Sequence, residues 1–399
     1  MRPVTVVVAT RIFPPEVGAA AFRLRQLVRA LAEHGAHVHV VTSTPPPGSP
    51  PPPADPQGVR VSRRPVLRDR MGAVRGYLPY LSFDIPLVLR LLRGPRPHVI
   101  VAEPPPTTGL AVLLVARLRR VPYVYFAADL LADAAAAAGS PGGVVRVVRS
   151  AETTVLRRAA LVLAVSDTVA SRARRLGVPA GRVVVVGNGV DTDLFSPDGQ
   201  VVEQDRPYAV YAGTMSEIQG AGVFLDALAA LPPGRRGFRV VFVGQGTQRT
   251  ELEERARRSG LQDAVDFPGV LPPERTAAYL RGCAVALGSA VPGTGYEFAT
   301  PTKLYAALAC GAPVLFAGPG TGRDVAGHGL GRAVPYDPQR VAEALEAAVH
   351  DPPSARRRLE LADWAARTVS LAAVGDRAAA AVLAAVTGAA SAVTDRGRD

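Results

Sequence analysis

Short runs of β-branched and other apolar residues alternate along this chain with segments whose apolar residues recur at helical spacing. The run Val4–Ala9 leads into apolar positions from Phe22 to Leu31, and Val38–Val41 is the next run. Continuous apolar runs are typical of strands buried in a parallel sheet, with the helical segments as crossovers. The alternation continues to Val186 and begins again at Tyr208. It predicts an α/β chain with two Rossmann-like domains.

The length of 399 residues also fits two domains. We place an N-terminal domain at residues 1–198 and a second domain at residues 199–370, with the linker at Asp198-Gly199-Gln200. A helical stretch at residues 371–388 is expected to pack back on the first domain, and residues 389–399 are expected to form a disordered tail. Ligands of such folds bind at the carboxyl ends of the strands, here in a cleft that the two domains face across.

The charge of the chain is unevenly distributed. Lys and Arg number 46 against 34 Asp and Glu, a formal net charge of +12. Residues 1–198 hold 25 Arg and 13 acidic residues, so the first half carries the whole excess. This indicates an anionic partner for the first domain, such as a membrane surface, a phosphorylated acceptor or nucleic acid. Codon bias explains why Arg is used instead of Lys, but not why the excess lies in one half.

Several classes of protein are disfavoured. We expect no signal peptide and no membrane span, because no apolar run reaches the ~18–20 residues that a bilayer requires. Cys283 and Cys310 are too few for a disulfide framework and fit a reducing cytoplasm. We interpret His34, His37 and His39 as solvated or edge residues and expect no metal site. The expected location is cytoplasmic, with peripheral contact at the inner face of the membrane as a further expectation.

A basic stretch precedes an aromatic one in the first domain. Six arginines between Arg60 and Arg75 are followed by the aromatic and apolar segment Tyr77–Phe83. This combination suits docking to a lipid surface or to an anionic acceptor. A solvated loop before a buried helix is an equally good interpretation. No nucleic-acid reading motif is present, so nucleic acid is not an expected partner.

The most informative motif follows the predicted strand Val183–Val186 and reads Asn188-Gly189-Val190-Asp191-Thr192-Asp193-Leu194-Phe195-Ser196-Pro197. It resembles the strand-end signature of the retaining glycosyltransferases of family 4, which have the GT-B fold, and the resemblance covers nearly the whole chain. Asp191 and Asp193 also match a D-x-D metal motif. In this context we interpret them as a turn and helix-capping element.

Two segments resemble the donor diphosphate site of that family. They are Ala209–Met215 with Gln219-Gly220, and Ala299–Val314, which is similar to the motif of the capsule and O-antigen subgroup. A glycine turn exposes amides and a helix N-terminus offers its dipole to phosphate. The resemblance implies diphosphate contacts from Gly213, Thr214, Gln219, Thr302, Lys303 and Leu304. Lys303 is the one Lys among 46 basic residues.

The resemblance also implies contacts to the nucleotide base and ribose, from Gly244, Gly246, Gly269, Val270 and Ala306. The carrying segments are Val241–Gly246 and Phe267–Val270, each of which alone is also typical of an ordinary βα turn. Two departures concern a pair of family glutamates. The second, which contacts the ribose, falls at Ala306, and the first falls near Phe298, with Glu297 next to it as a substitute.

For the acceptor side, the residues expected at the cleft are Arg11, Gly18, Ala19, Asn188 and Glu297. The acidic candidates for catalysis are Asp129, Glu103 and Glu16, each of which is equally well placed to cap a loop. The family histidine that precedes an Asp falls at Ala128, another departure.

These features imply a bacterial, metal-independent glycosyltransferase of the hexosyltransferase type that needs no cofactor. Its donor is expected to be a nucleotide sugar, with UDP- or GDP-sugars favoured. The acceptor is expected to be a small-molecule natural product or a lipid-linked glycan. Two alternatives stay open: a GT-B-fold sugar-nucleotide epimerase, and a degenerate partner that binds sugar nucleotides without catalysis.

Overall fold

A computed structural model describes residues 3–16, 19–51, 56–69, 72–74, 76–128, 131–132, 140–294, 302–320 and 325–395. The chain divides into two compact units. Unit 1 comprises Met1–Asn188 together with Leu371–Asp399, and unit 2 comprises Gly189–Ser370. Unit 1 therefore ends ten residues before the boundary that the sequence suggests, because the Asn188 motif already supplies residues to the second core.

Unit 1 contains a parallel sheet whose seven strands lie in the order β3-β2-β1-β4-β5-β6-β7. The strands are β1 (Thr5–Ala9), β2 (His37–Ser43), β3 (Val59–Arg64), β4 (Val99–Ala102), β5 (Tyr123–Ala127), β6 (Leu161–Ala164) and β7 (Val183–Val185). Apolar side chains cover both faces of the central strands, as the continuous apolar runs require. The order reverses between β1 and β4, and in open α/β sheets ligands bind at the carboxyl side of that point.

The helices of unit 1 lie on both faces of its sheet. They are α1 (Ala19–Glu33), α2 (Tyr77–Arg93), α3 (Pro106–Arg119), α4 (Gly142–Arg158), α5 (Asp167–Arg175) and α12 (Leu371–Asp395). The C-terminal helix α12 packs against α1, with Ala378, Ala379 and Val382 fully buried in this core. Its backbone continues as helix to Asp395, into the segment for which we expect disorder, because its many alanines favour helix.

Unit 2 repeats the architecture with a parallel sheet of six strands in the order β10-β9-β8-β11-β12-β13. Its strands are β8 (Tyr208–Ala212), β9 (Arg239–Val243), β10 (Val265–Gly269), β11 (Val285–Ser289), β12 (Val314–Ala317) and β13 (Gly331–Val334). Its helices are α6 (Gly222–Ala230), α7 (Arg249–Arg258), α8 (Pro273–Gly282), α9 (Thr302–Ala309), α10 (Pro338–His350) and α11 (Ala355–Thr368). Here the order reverses between β8 and β11.

Two strands differ from the sequence expectation. The first part of the basic stretch is the edge strand β3 rather than a loop, and β13 was not expected. Both strands are polar or only half buried because they lie at sheet edges, so they lack a continuous apolar run. Within the described residues, no helix has the length and apolarity needed to cross a bilayer.

Candidate functional site

The carboxyl end of β8 in unit 2 brings a lysine against bare backbone. Gly213 follows β8, and a Cβ at that position would lie 2.9 Å from Lys303 Cδ and 3.5 Å from Lys303 Nζ. Lys303 stands in the first turn of α9, which begins at Thr302. The Lys303 side chain therefore lies over a glycine at the point where the strand order reverses.

A second glycine keeps the ends of β8 and β9 close together. Gly244 follows β9 with φ of 129°, and a Cβ there would overlap the carbonyl oxygen of Gly213. Only glycine adopts this conformation readily and leaves room for the neighbouring backbone. The amide of Gly213 donates to Val243 O at 2.9 Å, and that of Gly244 donates to Gly269 O at 2.8 Å.

The described partners of the Lys303 ammonium are neutral. Its Nζ donates to Tyr211 Oη at 2.8 Å and to Gln219 Oε1 at 3.2 Å. It also lies 4.0 Å from the centroid of the Tyr211 ring, a cation–π contact. Burial lowers the pKa of Lys303 to about 7. None of these partners is a carboxylate, so the buried ammonium loses hydration without gaining a negative charge nearby. An anionic ligand would supply that negative charge.

A cavity of about 240 Å³ adjoins Lys303 within unit 2. It is lined by five of the residues expected from sequence, namely Gly213, Gly244, Val270, Lys303 and Ala306. Its lining also includes residues that the sequence analysis did not assign to a site: Phe195, Leu271, Thr276 and Leu280. Phe195 belongs to the motif that begins at Asn188, so the motif itself contained a signal for it. Within the described part of the chain, this lining holds no carboxylate.

The remaining donor-side residues do not line this cavity. Thr214 is exposed, and its carbonyl oxygen lies 2.8 Å from Tyr211 Oη. The side chain of Leu304 is buried in the core of unit 2, so only its backbone is available to a ligand. Gly246 and Gly269 stand at the ends of β9 and β10, where Gly246 lies against the backbone of Met215.

In unit 1, Glu103 lies at the carboxyl end of β4, beside the end of β1. It is 5% exposed and accepts a hydrogen bond from Thr10 Oγ1. Burial raises the pKa of Glu103, while the neighbouring Arg23 and Arg11 act in the opposite direction. A buried carboxyl group at the point where the strand order reverses is a candidate for holding a ligand hydroxyl.

Arg11 and Asn188 are held by neighbours in unit 1. Arg11 donates to Val74 O at 2.7 Å and to Pro104 O at 3.1 Å, and its guanidinium lies 4.3 Å from the ring centroid of Tyr80. Asn188 Oδ1 accepts from Arg23 Nη1 at 3.2 Å. Arg11 therefore contacts three segments of unit 1, and these contacts favour a structural role over binding of an anionic acceptor.

Glu16 has a structural partner. Its two carboxylate oxygens accept from Arg68 at 3.1 and 2.9 Å, and both side chains are largely buried. This bidentate pair ties the loop after β1 to the segment after β3. The loop-capping alternative for Glu16 is thus the one that its contacts favour. Arg68, one of the six arginines of the basic stretch, is the other half of this pair.

Some expected residues cannot be placed. Asp129, Gly18 and Glu297 lie outside the described residues, as does the side chain of Ala19. Ala128 is described and is partly buried against the core of unit 1. Asp191 Oδ1 accepts from the amides of Asp193 and Leu194 at 3.1 and 3.2 Å, so the interpretation as a turn element is confirmed. The segment after Asp191 is a turn and not a helix, so the helix-capping part of that interpretation is wrong.

Comparisons with known proteins bear on both units. The family profile described as "Glycosyl transferase 4-like domain" matches residues 18–189. A second profile, described as "Glycosyl transferases group 1", matches residues 206–351. Together the two profiles extend over most of unit 1 and most of unit 2.

Two relatives share part of their sequence with this chain. WcaL of Escherichia coli K12, named as a glycosyltransferase of colanic acid biosynthesis, is 28% identical over 162 residues, 40% of each chain. A D-inositol 3-phosphate glycosyltransferase of Xylanimonas cellulosilytica is 30% identical over 251 residues, 58% of this chain and 57% of the relative. The matches thus span about half of each relative or somewhat less.

A solved structure resembles the chain over nearly its whole length. HepE from Anabaena, in complex with UDP and glucose, has a TM-score of 0.59 and covers 94% of this chain and 98% of its own, at 19% identity. An identity this low establishes the fold alone. The two sheets and the likeness to HepE show the GT-B fold, and the two profiles together show that this chain belongs to glycosyltransferase family 4.

Proposed function

We propose that the protein transfers a sugar from a nucleoside-diphosphate sugar to an acceptor, with retention of anomeric configuration. In this proposal unit 2 binds the donor and unit 1 binds the acceptor. The observation that carries it is Lys303, a half-buried ammonium with neutral described partners, lying over Gly213 at the start of α9. A cation, a helix N-terminus and a glycine turn together suit a diphosphate.

The charge of Lys303 gives this assignment an energetic basis. Since burial brings its pKa to about 7, a substantial part of the free protein carries neutral Lys303 at neutral pH. A bound diphosphate would favour the ammonium form and recover part of the lost solvation energy. The two hydrogen bonds to Tyr211 and Gln219 hold the group in place before the ligand arrives.

The proposed reaction balances without a protein nucleophile. The bond between the anomeric carbon and the diphosphate oxygen breaks, and its electron pair stays on the departing diphosphate. The acceptor oxygen bonds to the same face of the carbon, and its proton passes to the departing phosphate. Lys303 and the N-terminus of α9 stabilise the developing charge, a role that otherwise falls to a metal ion.

For the acceptor we propose a hydroxyl group of a small molecule or a lipid-linked glycan, oriented by Glu103. This carboxyl group is buried at the carboxyl end of β4 and is itself positioned by Thr10. Because WcaL is named for a biosynthetic glycosyl transfer, we propose a biosynthetic role for this protein as well. UDP is the favoured nucleotide because HepE, which shares the fold, is described with UDP.

A thermal-shift screen with UDP-, GDP-, ADP- and dTDP-sugars tests the donor assignment. We expect one nucleotide class to raise the melting temperature, since a ligand that binds only the folded state stabilises it. Lys303→Met should clearly reduce the shift at the same nucleotide concentration. Arg340→Met, which removes an exposed charge from α10, should leave it intact. If none of the four classes stabilises the wild-type protein, the donor assignment fails.

One observation favours a second candidate, a binder of sugar nucleotides without catalysis. Ala306 lines the cavity beside Lys303 where the family resemblance implies a ribose-binding glutamate. Release of the nucleoside diphosphate from a bound donor in the presence of acceptor distinguishes the two. Stabilisation without release would indicate the non-catalytic binder, and conversion of the donor sugar without release would indicate an epimerase.

A further inference from the structure

Two neighbouring helices of unit 1 expose a continuous set of large apolar side chains. On α2 these are Leu78, Leu81, Ile85, Leu89 and Leu92, and on α3 they are Leu110, Leu114 and Leu118. Leu78, Ile85 and Leu118 are 70%, 61% and 64% exposed. The spacing of three and four residues places each set on one helix face. Contiguous exposed apolar residues mark a surface that contacts another protein, a membrane or a ligand.

The two faces are adjacent because the helices are joined at both ends. Near the start of α3, the buried Thr108 donates to Asp84 of α2 at 2.6 Å. At the other end, Arg119 Nη1 donates to Leu91 O and to Gly94 O, the latter at 2.8 Å. The apolar stripes of α2 and α3 therefore form one surface, which we call the leucine face, defined by the eight residues named above.

The charges around the leucine face have one sign. Helices α2, α3 and α4 contain two acidic residues, Asp84 and Glu152, which are 4% and 3% exposed. Arg93 lies one turn after Leu89, and Arg117 lies one turn after Leu114, so each apolar stripe ends in an exposed arginine. The solvent side of these helices thus presents leucine and arginine with no carboxylate.

A cavity lies next to the end of α3 and continues this pattern. It has a volume of about 630 Å³ and is lined by Arg117, Arg120, Arg158 and Arg182, with no acidic residue in its lining. Among the described residues, none of these four guanidinium groups forms an ion pair. Guanidinium groups bind phosphate in a bidentate manner. The cavity is therefore suited to a phosphate group.

We propose that the leucine face and its arginines dock on the surface of an anionic phospholipid bilayer. Apolar side chains enter the boundary between headgroups and acyl chains, while arginines at the ends of the stripes contact lipid phosphates. An anionic bilayer complements both components, because its acyl chains accommodate the apolar side chains and its phosphates pair with the arginines. The inference does not rest on glycosyl transfer, because it uses neither Lys303 nor Glu103.

Co-sedimentation with extruded vesicles tests the proposal. We expect the wild-type protein to bind vesicles of equal parts phosphatidylglycerol and phosphatidylcholine, and to bind pure phosphatidylcholine much less. Binding should weaken as salt is added, because screening removes the contribution of the arginines. The combined variant Leu81→Gln, Ile85→Gln, Leu89→Gln should bind at least tenfold more weakly, and each of Arg93→Gln and Arg117→Gln roughly fivefold more weakly.

The matched control changes exposed apolar residues of unit 2. Val201→Gln with Leu359→Gln should bind vesicles like wild type, although these side chains are 50% and 58% exposed. Circular dichroism checks that every variant is folded. The proposal is overturned if the wild-type protein ignores anionic vesicles at low salt, or if the triple variant binds them as well as wild type.

Self-association is tested alongside. If the wild-type protein forms a dimer that the triple variant abolishes, and vesicles are not bound, the leucine face covers a second copy and the lipid proposal is wrong. Nucleotide-induced stabilisation in the same samples shows separately whether the donor assignment holds. The two proposals can therefore fail independently.

Discussion

The two sheets share the same order in their central strands, but different groups lie at their carboxyl ends. In unit 2 the end of the sheet is glycine backbone with a single ammonium, Lys303, and an adjoining small cavity. In unit 1 the equivalent end is filled by polar side chains that bind one another, with Glu103 buried beneath Thr10. Bare backbone suits a charged group that needs close approach, whereas a buried carboxyl group suits a hydroxyl group.

The net charges of the two units do not follow from the proposed assignment of the donor to unit 2 and the acceptor to unit 1. Unit 1 holds 28 Arg and 13 acidic residues, and unit 2 holds 18 basic and 21 acidic residues. The unit assigned to the doubly charged diphosphate is thus the one with no positive excess. The proposed donor site therefore depends on the local placement of one lysine and not on the net charge of its unit. The excess in unit 1 accompanies the arginines around the leucine face instead.

The largest effect is expected from adding a side chain where the unit 2 site needs none. Gly244→Ala forces a Cβ against the Gly213 carbonyl oxygen at a φ of 129°, so the ends of β8 and β9 must separate. Nucleotide affinity, measured by calorimetry, should fall by more than about a hundredfold, as several contacts of ~1 kcal/mol are lost together. Gly234→Ala, where a Cβ meets open space, is the control and should bind normally.

In unit 1, Glu103→Gln should lower turnover by roughly a hundredfold while leaving nucleotide affinity unchanged, because it removes the carboxylate that we propose orients the acceptor. Nucleoside diphosphate release measures turnover, and calorimetry measures affinity. Glu16→Gln is the comparison variant: its partner is Arg68, so we expect lowered stability with smaller loss of turnover. If Glu103→Gln lost nucleotide affinity as strongly as turnover, the assignment of donor and acceptor to different units would be wrong.

The pH dependence of nucleotide binding follows from Lys303. Its pKa in the free protein is about 7, and a bound diphosphate raises it, so binding takes up a proton above that pH. Between pH 6 and pH 8 the dissociation constant should rise by about tenfold, beyond any change in the nucleotide's own charge. Calorimetry in buffers of different ionisation enthalpy measures the proton uptake. Lys303→Met should show none, and uptake in that variant would assign the proton to another group.

The smallest effect concerns the absent ribose contact. Ala306→Glu places a carboxylate in the lining of the 240 Å³ cavity, where it can accept from a ribose hydroxyl. We expect affinity to improve by roughly fivefold, the value of one hydrogen bond of about 1 kcal/mol. Affinity for analogues with a changed base or with deoxyribose distinguishes contacts to the base from contacts to the ribose. A loss of affinity would mean that the cavity holds an apolar part of the ligand.

The sequence predicted the core of the fold and part of the site. Central strands such as β4 and β8 were evident because burial on both faces demands unbroken apolar runs. Edge strand β3 was missed because its outer side needs no apolar residue, and its arginines resembled a loop. Gly213 and Lys303 were assigned to the site through the family resemblance, whose motifs mark a glycine after a strand and the start of a helix.

Long-range contacts could not be inferred in this way. Glu16 and Arg68 form an ion pair but lie on separate loops, and no local sequence pattern predicts that they meet. Tyr211 was read as a strand residue, yet its ring and hydroxyl hold the Lys303 ammonium. The exposure of the leucine face was equally hidden, because a helix with apolar residues all round is normally buried.

The most direct test of the account is calorimetric titration of UDP and GDP into wild-type protein and Lys303→Ala. The account predicts that one of the two nucleotides binds the wild-type protein and that the variant binds it at least tenfold more weakly, since a charged hydrogen bond is worth about 1.5–3 kcal/mol. The variant should keep the wild-type melting temperature within a few degrees. Wild-type affinity in Lys303→Ala would contradict the placement of the diphosphate in unit 2.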